Sequence, residues 1–325
     1  MLPVLTYNRP DTLKNVIKIL QAGEARIHAG GTDLLGCLHD GVFSTEKLVS
    51  LSAVSDLRTM RKRSGGRLRI GALTTIHTLA TDPDIKGRYP VLAQAAGEVA
   101  SPQLRQQGTL GGNLCQKPRC WYYRGEFNCL RKGGGKCFAF KGQNQFHCIL
   151  GGSACYIVHP SDTAPALIAL DAELEIQGPQ GKRTLPVAEL HVPADKNPLR
   201  EVYLEKDEVI TAVEIPSFAE GRRSSYRKVR ARQSWDFAVA GVALALTLVD
   251  GRVKDPRIVL SGAAPTPWRS TAAEKILDGE PLTEKLVRKA ATAAMEKAKP
   301  LEHNGYKVAL FKGLIEEELM KHASA

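Results

Sequence analysis

Six of the seven cysteines in this 325-residue chain fall within 41 residues, at positions 115, 120, 129, 137, 148 and 155, with Cys37 apart. Gly and Lys separate them, so the stretch has no periodic apolar face to bury. Whatever fold the rest adopts must carry this segment as a loop organised by what its thiols hold. A disulfide framework is disfavoured by the odd count and the chain length. The first ten residues carry no charged n-region and no apolar h-region, so the expectation is a cytoplasmic chain not exported on its own. Zinc sites bring ligands in close C-x₂₋₄-C pairs, and only Cys115 and Cys120 come near that spacing. Ligands separated by longer gaps suit an iron–sulfur cube, a larger object. Spacing alone leaves three readings: a cluster, zinc, or free thiols.

Charge follows the cysteines. Lys117, Arg119, Arg124, Arg131, Lys132, Lys136 and Lys141 stand in the window against Glu126, which makes it +6 of a net +11. Cations near a thiolate-bound cluster offset its negative charge, and an exposed face of them would suit an acidic electron carrier. The pI of about 9.3 does not imply nucleic acid, since aromatics are 6% and no nucleic-acid motif is visible. The longest apolar run, Ala238 to Val249, is too short and interrupted for a membrane span.

The fold class read from the pattern is α+β, in two parts with a boundary near Gly221. Leu13, Val16, Ile17 and Leu20 make one helical face, capped by Asp11 or Thr12 and stopped by Gly23. Strands are expected at 48–51, 68–71, 173–176 and 209–215. Helices are expected after Thr74 or Thr75, at 90–99 and at 164–170. Beyond the boundary, 241–249 and 257–260 read as strands with a hairpin turn at Asp250-Gly251. Helices are expected at 271–277, 283–298 and 307–322.

Two glycine-rich turns stand out, Ala29-Gly-Gly-Thr-Asp33 and Gly108-Thr-Leu-Gly-Gly-Asn113. Glycine lets backbone N–H groups approach a phosphate, and Thr32, Thr109 and Asn113 add donors. Neither turn is a Walker A loop or a G-x-G-x-x-G fingerprint. The pair points to a dinucleotide pyrophosphate. The eight histidines are scattered, and no carboxylate pair presents an acid and a base, so no catalytic residue is expected on this chain.

Four motifs carry a resemblance: Ala-Gly-Gly-Thr-Asp-Leu-Leu (29–35), Thr-Leu-Gly-Gly-Asn (109–113), Pro-Ser-Asp-Thr-Ala-Pro-Ala-Leu (160–167) and Ser-Gly-Ala-Ala-Pro-Thr-Pro-Trp-Arg (261–269). Together they resemble the FAD-binding medium subunit of the xanthine oxidase family of molybdenum enzymes, over essentially the whole chain. The resemblance implies a PCMH-type FAD-binding domain of two α/β subdomains at 1–220. It also implies a flavoprotein C-terminal α+β domain at 221–325. Within the first, 114–156 would be a cluster-binding insertion. Arg119-Cys120-Trp-Tyr-Tyr, Cys129-Leu-Arg-Lys, Gly135-Lys-Cys137 and Ala154-Cys155-Tyr-Ile resemble the insertion of the 4-hydroxybenzoyl-CoA reductase β subunit. A related insertion occurs in some bacterial aldehyde oxidoreductases. There it holds a [4Fe–4S] cluster, which implies Cys120, Cys129, Cys137 and Cys155 as ligands here. Cys148 competes with Cys155 for the fourth place.

The same matching implies FAD contacts at Ala29, Gly30, Gly31, Thr32, Asp33 and Leu34, and at Thr109, Leu110, Gly111, Gly112 and Asn113. It adds Asp162, Ile210 and Lys228, with Arg227 and Arg230 competing for the role of Lys228. The implied function is electron transfer between a ferredoxin-like carrier and a molybdenum site on another chain. The implied partners are a large molybdopterin subunit and a small [2Fe–2S] subunit, three chains taken twice. An aldehyde or N-heterocycle dehydrogenase subunit is the alternative of the same class. A stand-alone PCMH-type FAD oxidase is the rival of another class.

Overall fold

The computed structural model describes residues 3–218, 221–233 and 235–323. The boundary expected at 220/221 falls beside residues 219 and 220, outside the described ones. Three sheets organise the described residues. The first is parallel, ordered Thr6–Asn8, Lys47–Ser50, Ala25–His28, and is covered by the helix Leu13–Gln21. That helix begins where Thr12 Oγ1 accepts from the Asn15 N–H, and Gly23 follows it at φ 79°. Val16, Ile17 and Leu20 face Val49 and Leu51 in a small core.

The second sheet has five strands in the order Met60–Lys62, Leu68–Gly71, Val209–Ile215, Glu173–Gly178, Gly181–Pro186. The helices Ile76–Thr81, Pro90–Gly97 and Thr163–Ala169 pack beside it, and Leu92, Leu110, Leu167 and Ile215 are fully buried. The third sheet runs Trp268–Arg269, Arg252–Ser261, Ala240–Val249, Arg222–Val229. Its central strand serves two cores at once. Ala243 and Ala245 join the core of the first part, while Val242, Leu244 and Leu246 meet the helices Thr271–Leu277, Glu284–Ala294 and Tyr306–Ala323. A strand buried on both faces reads as an unbroken apolar run, as this one does.

The strand Arg222–Val229 is the main difference from the sequence reading, where it counts as a cluster of positive charge. Its burial alternates, with Ser224, Tyr226 and Lys228 inward and Arg227 outward. The strand expected at 257–260 starts five residues earlier, at Arg252. A bulge sets Asp255, at φ 53°, and Pro256 opposite a break in the register between Ala245 and Thr247, which accommodates a proline without an N–H. Asp250 and Gly251, at φ 50° and 73°, make the expected hairpin turn. Among the described residues no helix is long and apolar enough to cross a membrane.

The cysteine-rich segment contains only the helix Trp121–Arg124 and a 3₁₀ turn at Leu130–Lys132. It is nevertheless fastened at its far end. Asn304 Nδ2 donates to the carbonyls of His147 and Cys148 at 3.1 Å, and Lys307 Nζ donates to His147 O at 3.1 Å. The Ile149 N–H donates to Ala263 O at 2.9 Å.

Candidate functional site

The two glycine loops line one cavity of about 1090 Å³. The first loop lines it through residues 29–34 and the second through Thr109, Gly111, Gly112 and Asn113. Asp162, Ile210 and Lys228 line it as well. Leu110 does not: its side chain is fully buried in the core and its N–H donates to Thr74 O at 2.9 Å.

The loops touch, and this explains two of the glycines. A Cβ on Gly30 would lie 1.9 Å from Gln107 O, just before the second loop. Gly31 sits at φ 74°, the left-handed region that favours glycine. Among the described residues the N–H groups of Gly31, Thr32, Asp33 and Leu34 have no acceptor, and all four residues line the cavity. Such a row, opening the helix Leu34–His39, suits an anionic ligand. The second loop is more self-contained. Gly111 N donates to Ala72 O at 2.9 Å, and Asn113 N to Thr109 O at 2.8 Å. Asn113 Oδ1 accepts from Thr163 Oγ1 at 2.7 Å and also from Ser161 Oγ, which leaves Nδ2 as its donor.

Asp162 and Lys228 meet at 2.7 Å with side chains 5% and 1% exposed, joining the two parts of the chain across the cavity wall. Burial raises the Asp162 carboxyl, while Lys228 and Tyr226 oppose that shift. Tyr226 OH donates to Asp162 Oδ1 at 2.7 Å, and Lys228 Nζ also donates to Glu98 O at 3.0 Å. Arg227 points away on the opposite face of its strand, where it pairs weakly with Glu317. Arg230 pairs with Glu98 at 3.0 Å.

Cys120, Cys129, Cys137 and Cys155 line a second, small cavity together with Tyr123, Arg131 and His147. Cys148 is buried but does not line it, and Cys115 lines the large cavity instead. His147 Nε2 stands 3.2 Å from Cys120 Sγ. Burial pushes the Cys120 thiol up to about 11 and the His147 imidazole down to about 4, where the Lys307 cation adds to the lowering. Cys155 is pulled down to about 6, first by its hydrogen bond from Cys137 and then by the Arg131 guanidinium. Among the described residues no three His, Cys, Asp or Glu side chains gather as a single metal ion would need. The four cysteines share instead only the lining of this small cavity.

Four of the window's cations turn inward onto carboxylates, while Lys136 and Lys141 stay exposed. Arg124 and Arg119 hold Asp33 at 2.7 and 2.9 Å, while Lys117 and Arg131 hold Glu201. Lys132 Nζ donates to Gly125 O at 2.6 Å, and Lys136 lies 4.9 Å over the Phe138 ring. Sequence reasoning missed Glu98, Glu201 and Tyr226, and the cavity wall at Arg232, Trp235 and Phe237. Only Tyr226 left a trace, by its alternation with Lys228.

A large cavity lined by two glycine loops, with a buried ion pair at its side, fits the class of dinucleotide-binding proteins. Residues 3–218 match the family described as FAD binding domain in molybdopterin dehydrogenase, and residues 224–321 match the CO dehydrogenase flavoprotein C-terminal domain. The aldehyde oxidoreductase FAD-binding subunit PaoB of Escherichia coli strain K12 is 36% identical over 274 residues, 83% of this chain and 84% of that one. The carbon monoxide dehydrogenase medium chain of Hydrogenophaga pseudoflava is 28% identical over 303 residues, 92% of this chain and 89% of that one. A solved structure of carbon monoxide dehydrogenase from the same organism matches with a TM-score of 0.77 at 27% identity, covering 98% of this chain and 96% of that one. The chain belongs to the FAD-binding medium subunits of the xanthine oxidase family, and is thus an FAD-containing oxidoreductase subunit.

Proposed function

We propose that this chain is the electron-relay subunit of a molybdenum-containing dehydrogenase complex, with FAD in the large cavity and a [4Fe–4S] cluster on Cys120, Cys129, Cys137 and Cys155. The observation that supports the cluster is that those four cysteines line one small cavity, which Cys148 does not. Bound FAD exchanges electrons in pairs or singly, and the cluster singly, so together they would connect a two-electron site to a one-electron carrier. The chain's own residues hold and tune. The free N–H row at Gly31–Leu34 receives phosphate charge. Lys228, fixed by Asp162, sets a cation at the cavity wall. Arg131 and His147 aim hydrogen bonds or charge at the thiols.

The division at 1–220 and 221–325, with 114–156 as an insertion, is part of this reading and is supported by the separate family matches at 3–218 and 224–321. Substrate chemistry belongs to a large molybdopterin subunit, with a small [2Fe–2S] subunit completing a set of three chains taken twice. A ferredoxin-like carrier serves the cluster side, and the complex works in the cytoplasm. The name of the 36% identical relative favours an aldehyde over a hydroxybenzoyl-CoA as the substrate of the whole complex. Serine replacement of each cysteine, with iron counted per FAD, tests the ligand set. Loss of iron is expected at Cys120, Cys129, Cys137 and Cys155 and retention at Cys115 and Cys148. Iron lost with Cys148→Ser and kept with Cys155→Ser overturns the assignment.

A further inference from the structure

Asp33 belongs by sequence to the first glycine loop, yet its carboxylate faces the cysteine-rich segment. Oδ1 accepts from Arg124 Nη2 at 2.7 Å and pairs with Arg119 Nη2 at 2.9 Å, and Oδ2 accepts from the Lys117 N–H at 2.7 Å. The Asp33 and Arg124 side chains are 16% and 14% exposed, so water screens the contact little. Arg124 is fixed from its other side, with Nε donating to Pro118 O at 2.7 Å and Nη2 to Lys117 O at 3.2 Å. Between Arg119 and Arg124 lies Cys120, which opens the helix Trp121–Arg124. A second carboxylate repeats the device, since Glu201 binds Lys117 and Arg131, and Arg131 lines the small cavity together with Cys155. Cys120 is thus one residue from an arginine bound to Asp33, and Arg131, bound to Glu201, lines the small cavity, so both carboxylates on the wall of the large cavity reach the edge of the small one.

We propose that Asp33 is a positioning residue that couples the two cofactor sites of this chain. With the thiol centre formed, residues 117–124 are fixed, and through Asp33 they hold the glycine loop with its free N–H row in place. With the centre lost, the segment loosens, the loop follows, and FAD binds more weakly. By linkage, FAD binding strengthens the thiol centre by the same factor. This inference rests on the FAD and cluster assignment given above.

The test is a mutant cycle read by FAD affinity, from the quenching of flavin fluorescence on titration of deflavinated complex. Cys129→Ser removes the centre without touching the clamp, and Asp33→Asn removes the charge while keeping the shape. Each is expected to weaken FAD about tenfold, the scale of one charge-assisted hydrogen bond, and the double variant is expected to be no weaker than either single one. Multiplying effects would mean that Asp33 acts on FAD directly and would overturn the coupling. An unchanged affinity in Cys129→Ser would overturn it too. Arg124→Gln gives the answer should Cys129→Ser fail to fold, because Arg124 lines neither cavity. It should weaken FAD to the same degree with iron retained, and a wild-type affinity there also refutes the proposal. A wild-type complex whose small cavity binds no iron refutes the cluster assignment, and Arg124→Gln then judges the clamp alone.

Discussion

The contact of the two glycine loops is the most sharply testable feature of the proposed flavin cavity. Replacing Gly30 by Ala puts a Cβ 1.9 Å from Gln107 O, which is 1.1 Å inside the 3.0 Å below which Cβ contacts are essentially never seen. The obstacle is backbone, so no side-chain rotation relieves it. The loops must separate by about that distance or the backbone must distort, and overpacking of this kind costs about 1–3 kcal/mol. Because separation opens the cavity, FAD must close it again against the strain, which weakens binding by about 5- to 150-fold. Gly36→Ala is the control. It lies two residues into the following helix, its Cβ would meet nothing within 4 Å, and an alanine there should stabilise the helix by up to about 1 kcal/mol. The assay is flavin retained per protein after gel filtration, followed by FAD titration of the stripped protein. A folded Gly30→Ala variant with wild-type affinity would refute the two-loop cradle.

Other expectations follow from buried charge. Lys228→Met leaves Asp162 unpaired in a site where both side chains are nearly inaccessible, so unfolding by denaturant should show a loss of about 3–5 kcal/mol, with much of it recovered in the double variant Asp162→Leu/Lys228→Met. His191, fully enclosed with Nε2 3.0 Å from Leu114 O, is lowered by burial from 6.5 to about 4. The unfolded chain therefore takes up this proton first as pH falls through 6.5, and stability present above that pH declines until about pH 4. The fall from pH 7 to 5 should be about 2 kcal/mol from this group, and His191→Gln should flatten it. Gly31→Val combines left-handed backbone with a Cβ 2.7 Å from His28 Nε2, so the folded variant should lose FAD, and stoichiometric flavin would refute it.

Much of the architecture was legible because local chemistry and tertiary context agree. Thr12 and Thr75 cap as their sequence suggests, each accepting a hydrogen bond from the N–H three residues on, and Val209–Ile215 is a strand at the expected limits. The glycine loops were legible as motifs, though the reason for Gly30 was not, because Gln107 is 77 positions away and only the fold brings it close. The strand Arg222–Val229 was hidden by its charge: Arg222, Arg223 and Arg227 dominate the composition, while the buried residues that mark it as a strand are Ser224, Tyr226 and Lys228. The basic cysteine window misled in the opposite sense. Lys117, Arg119, Arg124 and Arg131 looked free because their partners, Asp33 and Glu201, lie 84 residues away from Lys117 on either side. A sequence shows how much charge a segment carries; only the fold shows what neutralises it.

The central claim is that this one chain carries both a flavin and an iron–sulfur cube. It is tested most directly by iron, acid-labile sulfide and FAD analysis of the purified chain, paired with low-temperature EPR of its reduced form. The account predicts about four iron and four sulfide per FAD, with the signal of a reduced [4Fe–4S] centre that disappears in Cys129→Ser while flavin absorption remains detectable. A protein with a full complement of FAD and no iron or sulfide, or with zinc on the thiols, would contradict it.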